Sequence, residues 1–366
     1  MADPLLPQPG FAPFDAGISM MVNADILRDE ELDAKVRETR EHFNAEPGYT
    51  YEDFVGRGAY GIACRVQQKG SGARPPRKMI VKRALNDFVE GELQNEIRVM
   101  GELNGSAHIA SVIASKDSIG KPPQHFLEGL AGPALVLEYL GNGVLDKLRQ
   151  QAPIRDVHVP NRILWAIFLC LVRACVAMKY APGASPDSEP KLEELPVPPP
   201  SRIPDGYRHG DLHLGNMMFG STGDFPEHSI IPPVKLIDFG LAEEHERSVP
   251  DNLLGIATNV LWLIIGGYVP LGAPYAIHKG KPTMGGVLLP NPVTGEDPLP
   301  WLDRDLRNII LECMARREED RPSLEKVLNI AKEAVGQRGA EFYGPQESDG
   351  AIQYFIQTYV YDANMS

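Results

Sequence analysis

His209-Gly210-Asp211-Leu212-His213-Leu214-Gly215-Asn216, followed by Lys235-Leu236-Ile237-Asp238-Phe239-Gly240, are the two segments that decide how this chain is read. The first carries a carboxylate and, further along, a carboxamide; the second sets a carboxylate behind a short apolar run. That combination suits phosphoryl transfer. The transferred group passes through a loose transition state. The protein must therefore align a hydroxyl with one carboxylate and neutralise charge through metal ions held by another carboxylate and an amide oxygen. Each segment by itself also reads as an ordinary loop or cap.

Upstream, Gly56-Arg57-Gly58-Ala59-Tyr60-Gly61 spells GxGxxG between two strand-like segments of YEDFVGRGAYGIACRVQQ. Alone it is a hairpin turn. No helix follows it, which argues against a dinucleotide-binding βαβ unit. A flap over phosphates stays open, because backbone without Cβ atoms can approach phosphate oxygens and donate to them. Lys82 ends the apolar run Met79-Ile80-Val81 and, taken singly, reads as a solvated strand lysine. Glu96, in the helix expected over residues 89–103, supplies a carboxylate able to hold that ammonium against phosphates. Separate structural explanations do not account for all of these features in one fixed order.

The rest of the composition narrows the setting. The chain has 366 residues, 43% hydrophobic and 23% charged, which excludes collagen-like, wholly disordered and membrane-embedded classes. Its net charge of −13 sets nucleic acid aside as a partner. Cys64, Cys170, Cys175 and Cys313 show no paired spacing, as in a reducing compartment. The apolar run Ile163 to Val172 ends at Arg173, short of the roughly 20 residues that span a bilayer. The first residues carry acids and prolines where a signal peptide has a basic start. A cytoplasmic or nuclear protein without a membrane partner is the expectation.

Residues 1 to about 22 read as a mobile tail, with Asn23 or Asp25 capping a surface-packed helix through ILRDEELDAKVRETREHF, so that 1–48 forms a tail and helix. Over 49–140 the pattern predicts an antiparallel meander, one helix, and a buried strand in GPALVLEYL. Over 141–340 it turns helical, with NRILWAIFLCLVRACVAMKY apolar on nearly every face and a proline-rich, solvated insertion at 181–205. Short strands are expected around 216–218 and 234–237, and a last helix, capped by Ser348, within 341–366. The order predicts an α+β arrangement.

With Leu137-Glu138-Tyr139-Leu140 added, these motifs resemble the eukaryotic protein-kinase family between about Tyr49 and Val335. The stretch Cys313 to Ser323 is similar to the CLxxDPxxRPS segment that lies late in that family's helical lobe. The resemblance implies a bilobed protein kinase-like fold, with a small antiparallel sheet and one main helix in the N-lobe and a mainly helical C-lobe. It implies ATP and Mg2+ as cofactors. Gly56, Gly58 and Gly61 would cover the phosphates, and Lys82 with Glu96 would position ATP. Asp211 would orient the acceptor hydroxyl and take its proton, Asn216 and Asp238 would hold magnesium, and His213 would donate to the γ-phosphate. Leu137 would be the gatekeeper, with Glu138 and Leu140 offering backbone hydrogen bonds to the adenine edge.

The chain also departs from that family. Gly210 replaces the Arg of HRD, so an activation-loop phosphate has no cation there to neutralise it. His213 replaces a Lys, and HGDLHxxN is the form usual in small-molecule phosphotransferases. Only Leu241 to Pro250 separate Gly240 from Asp251, the acid expected to brace the catalytic loop, and no APE triplet is present. Arg321 must therefore pair with another carboxylate, Glu243 or Glu244. Ala63 stands where the family has valine. The expectation is an ATP-dependent phosphotransferase acting on a hydroxyl of a protein or small molecule, leaning to a Ser/Thr protein kinase. A small-molecule kinase is the alternative, and a pseudokinase or ATP-binding interaction module a further one.

Overall fold

Period-two alternation builds the first layer. The strands β1 (Tyr49–Arg57), β2 (Gly61–Gln68), β3 (Arg77–Ala84), β4 (Val112–Lys116) and β5 (Ala134–Glu138) form one antiparallel sheet in the order β1-β2-β3-β5-β4. Ile62, Cys64, Val66, Met79, Val81 and Val136 pack into one core on its outer face. Ala84, Leu135 and Leu137 belong to a second, larger core on the inner face, together with Leu93, Ile97 and Met100 of the following helix. The computed structural model describes residues 18–364, except 59–60, 73–74, 118–123, 155–156, 187 and 270–275.

A long helix, α1 (Ile18–Ala45), covers the outer face. It starts upstream of Asn23 and Asp25, so neither is its cap; Ile18-Ser19-Met20-Met21-Val22 holds no Gly or Pro to stop a helix. The expected tail lies mostly outside the described residues. Nor is this helix merely laid on the surface. Phe43 is fully buried beside the rings of Tyr49 and Phe126. Arg83 of β3, itself buried, donates to Thr39 Oγ1 at 3.1 Å, to Glu38 Oε1 at 2.9 Å and to the Ala131 carbonyl.

On the inner face lies α2 (Glu90–Leu103), and beyond it the chain is mainly helical: α3 (Leu145–Ile154), α4 (Asn161–Lys179), α5 (Ser248–Ile265), α6 (Arg304–Cys313), α7 (Leu324–Gln337), α8 (Ala340–Tyr343) and α9 (Asp349–Ile356). Short ribbons interrupt them: β6 (Tyr207–Arg208) pairs with β9 (Glu243–Glu244), β7 (Met217–Phe219) with β8 (Val234–Leu236), and β10 (Ile277–His278) with β11 (Lys281–Pro282). The architecture is α+β.

By length and composition α4 and α5 are apolar enough to cross a bilayer, yet α4 is buried inside the protein between α5 and α7. Burial explains its apolarity on all faces. Arg173 does not end it. That guanidinium is buried and donates to Glu227, to Glu194 and to the Glu193 carbonyl. The first turn of α4 is satisfied from far along the chain, since Glu347 accepts from the N–H groups of Asn161 at 2.9 Å and Arg162 at 2.8 Å. Ser348 accepts from the Ala351 N–H and caps α9, as the sequence predicts.

Residues 181–205, apart from 187, are mostly exposed, as the sequence predicts, but they are not a free linker. Their composition forbids a helix, but their backbone is bonded to the protein. Gly183 N–H donates to the Glu102 carbonyl, Ala184 N–H to Asn104 and Lys191 N–H to Gly105, while Ala107 N–H donates to Lys191. Glu193 is buried against His108.

Candidate functional site

Strand β3 delivers Lys82 to the inner face, where α2 presents Glu96. Their charged atoms stand 2.6 Å apart, and Lys82 Nζ lies 3.4 Å from Asp238 Oδ1. Burial opposes the Lys82 ammonium, but the Glu96 and Asp238 carboxylates outweigh it and hold its pKa above the ordinary lysine value. Burial raises Glu96 in turn, an effect its salt bridge to Lys82 only partly offsets. A cation between two carboxylates at the mouth of a cleft is a holder for anionic oxygens. The cleft is lined by Gly58, Gly61, Ala63, Lys82, Glu96 and Asp238, among others. Ala59 and Tyr60 of the glycine-rich segment lie outside the described residues.

Asp238 adopts a left-handed backbone with φ 65°, a conformation aspartate tolerates better than most side chains. Phe239 behind it is fully buried, its ring 4.5 Å from that of His209. His209 anchors both acidic segments: its Nε2 is 3.2 Å from the Ile237 carbonyl, and its Nδ1 accepts from the Asp211 N–H at 3.3 Å. Burial lowers its pKa to about 4, so the ring is neutral at pH 7. Asn216 N–H2 donates to both the backbone and the side chain of Asp211 at 3.1 Å. Since the amide nitrogen is the donor, the Asn216 oxygen is the atom suited to a cation. The Asn216 carbonyl accepts from Ile237 N–H, which locks the two segments together. His213 Nε2 lies 3.5 Å from Asp211 Oδ2, and its Nδ1 accepts from Gly215 N–H.

Lys82, Glu96 and Asp238 thus form one charged group, and Asp211, His213 and Asn216 a second, joined through His209 and Ile237. Gly56, Glu138 and Leu140 are outside the cleft lining, and so are Asp211, His213 and Asn216. Glu138 N–H is donated to the Ser111 carbonyl, and its side chain accepts from Lys235 Nζ at 2.7 Å and from Ser111 N–H.

Two expectations need correction. The brace of the acidic loop is Asn252, not Asp251: its Oδ1 accepts from His209 N–H at 3.1 Å and its N–H2 donates to the Tyr207 carbonyl at 2.8 Å. Helix α5 turns position 252 inward, and Asn259 reinforces it by donating to the Leu212 carbonyl. Arg321 does not reach Glu243 or Glu244. It donates to the Pro250 and Ala315 carbonyls and lies 3.7 Å from Asp251. Glu243 is instead held by Arg208, its partner across the β6–β9 ribbon.

Gly210 proves sterically required. It adopts φ 82°, and a Cβ there would sit 2.4 Å from the Leu241 carbonyl oxygen. Sequence reasoning missed Asn95, whose side chain donates to the Gly240 carbonyl at 3.1 Å and the Ala242 carbonyl at 2.9 Å, tying α2 to the segment after Asp238. Its place beside Glu96 was the only signal. No protein-family model matches the sequence, and no curated protein matches it.

Proposed function

We propose that this protein is an ATP-dependent phosphotransferase of the protein kinase-like fold, with a serine or threonine hydroxyl of a protein as acceptor. The observation that carries the reading is the Lys82–Glu96 pair closed against Asp238 across the cleft. Productive ATP sites of that class need this arrangement.

The residues present fit the nucleotide and its metal. Lys82 is an ammonium held between two carboxylates, suited to phosphate oxygens, while Asp238 and the Asn216 amide oxygen are hard oxygen donors of the kind magnesium takes. ATP with Mg2+, when bound, supplies the phosphoryl group and the cationic charge that neutralises it. Gly58 and Gly61 offer close backbone approach from above. Asp211, steadied by Asn216, orients the acceptor hydroxyl and accepts its proton. His213, beside Asp211, is placed to donate to a phosphate oxygen when its Nε2 carries the proton.

Asp211 and Asp238 are both half exposed, which suits an acceptor arriving from solvent on a large molecule. A small hydroxylated acceptor is the second reading, favoured by the short stretch between Gly240 and the start of α5 at Ser248. That stretch is committed to the β6–β9 ribbon and leaves little chain to dock a peptide.

The test is transfer from γ-labelled ATP with Mg2+ to a panel of proteins and small alcohols. Label on protein serine or threonine, lost in Asp211→Asn, is the expected result. Label only on a small alcohol moves the conclusion to the second reading. Nucleotide binding without transfer leaves an ATP-binding interaction module, and the absence of binding overturns the proposal.

A further inference from the structure

A second polar cluster lies behind the cleft, and phosphoryl transfer makes no use of it. Its centre is His108, which follows α2 and is fully buried. Glu193 grips this residue twice: Oε2 is 2.6 Å from His108 Nδ1, and Oε1 accepts the His108 N–H at 2.8 Å. Such a carboxylate keeps a proton on Nδ1 and leaves Nε2 as the ligating nitrogen, the way histidine ligands of metals are oriented. Nε2 faces His228 Nε2 at 2.9 Å. The Cys170 sulfur, projecting from α4, completes a buried trio whose ligand atoms all lie within 4.8 Å of one another.

A fourth donor is at hand. Glu227 Oε1 is 3.4 Å from His228 Nε2 and 4.0 Å from His108 Nε2. It is buried and accepts no hydrogen bond among the described residues, although its other oxygen is bound to Arg173 at 2.8 Å. A proton shared between the two imidazoles would satisfy their facing Nε2 atoms alone. It would leave the buried Glu227 Oε1 with no hydrogen bond to accept among the described residues, which natural structures avoid.

We propose that His108 Nε2, His228 Nε2, the Cys170 thiolate and Glu227 Oε1 form a closed, four-ligand structural site for a divalent transition metal, zinc by its donor set. Imidazole and thiolate ligands select zinc over magnesium or calcium, and four protein ligands without an open position mark a structural site. Tetrahedral zinc with Zn–N near 2.0–2.1 Å sets two nitrogens about 3.3 Å apart, so the rings must part by only a few tenths of an ångström. One thiolate and one carboxylate neutralise the ion, and Arg173 holds that carboxylate from its far oxygen while also pairing with Glu194. Binding releases the Cys170 thiol proton to solvent.

The site would staple together the loop after α2, helix α4 and the β7–β8 connection, with the 181–205 segment supplying the outer-shell carboxylate. His108 is also bonded to β8, its carbonyl accepting from Leu236 N–H at 2.9 Å. The metal would therefore steady the strand that leads to Asp238. This inference does not depend on the phosphotransfer reading.

The experiment uses the full-length protein without a polyhistidine tag, purified without chelator. Elemental analysis should find about one zinc per chain. Replacement by Co2+ should give the visible bands of tetrahedral cobalt and a thiolate-to-cobalt charge-transfer band. Cys170→Ser should lose the charge-transfer band, and Asp238→Asn, in the cleft, should keep both metal and spectrum. A folded wild-type protein that carries no transition metal and takes up neither Zn2+ nor Co2+ overturns the proposal. So does a cobalt spectrum without the thiolate band. Both results come from the wild type, so a variant that fails to fold leaves the test intact.

Discussion

Asp211 and Asp238 keep 46% and 45% of their side-chain surface in solvent, whereas His108 and His228 keep 0% and 2%. The two clusters both adjoin β8, His108 through its carbonyl on Leu236 N–H and Asp238 just beyond the end of the strand. Their surroundings separate their tasks. In the cleft, carboxylates left half in water can receive and release charge without unfolding anything. In the closed cluster every charge must be met from within the protein, so any change there is read out as stability. Lys82 and Glu96 stand between these extremes, since Glu96 is buried while the ammonium remains accessible to a ligand.

The contrast can be broken most directly at Asp211. Asp211→Asn should lower phosphoryl transfer by about 10²–10⁴-fold, while the thermal midpoint stays within about 2 °C of wild type. A large loss of stability in that variant would place Asp211 with the closed cluster instead. Lys82→Met should behave as an intermediate. It strands the buried Glu96 carboxylate and should cost about 3 kcal/mol in denaturant titration, besides weakening nucleotide binding.

His209 sharpens the comparison through pH. Its folded pKa of about 4 lies below the ordinary value of 6.5. Unfolded chains therefore take up a proton that the folded protein refuses, and stability rises with pH between those values. The contribution is fully present above pH 6.5 and is lost as the pH falls from there through about 4, up to about 3 kcal/mol in all. Denaturation midpoints measured across this window should slope less steeply in His209→Asn than in wild type. The smallest effect expected is at Gly210, where Gly210→Ala should destabilise by about 1–3 kcal/mol because of its left-handed backbone and the Leu241 carbonyl. Installing arginine there should fail to create a phosphate-responsive switch for the same reason.

Periodicity made β1, β2, β3 and β5, α2, α4 and the cap at Ser348 legible, since those features depend on local spacing, whereas the short β4 went unread. The pairing of Lys82 with Glu96 was foreseeable only because several motifs occurred in order. What stayed hidden depended on phase or on distance along the chain. Asp251 and Asn252 are adjacent at the start of α5, and only the helix's rotation shows which one turns to the loop. Arg321 found Asp251 and two carbonyls because the fold brought α5 to it. Composition told half the story at residues 181–205: prolines and acids rightly suggest solvation, but irregular backbone can still bond to a surface, as that of Lys191 and Glu193 does. The grouping of His108, Cys170 and His228 has no local spacing at all, as its members come from three separate elements.

The burial of Arg83 against α1 has a practical bearing on how the protein can be trimmed. The motif resemblance begins near Tyr49, so a cut just before that residue would look harmless on motif grounds. Such a cut would remove Phe43, Thr39 and Glu38, uncover the apolar outer face of the sheet and leave a guanidinium without its carboxylate. A shortened version of this kind should be recovered as aggregate, while one that keeps the helix through Ala45 should stay in solution.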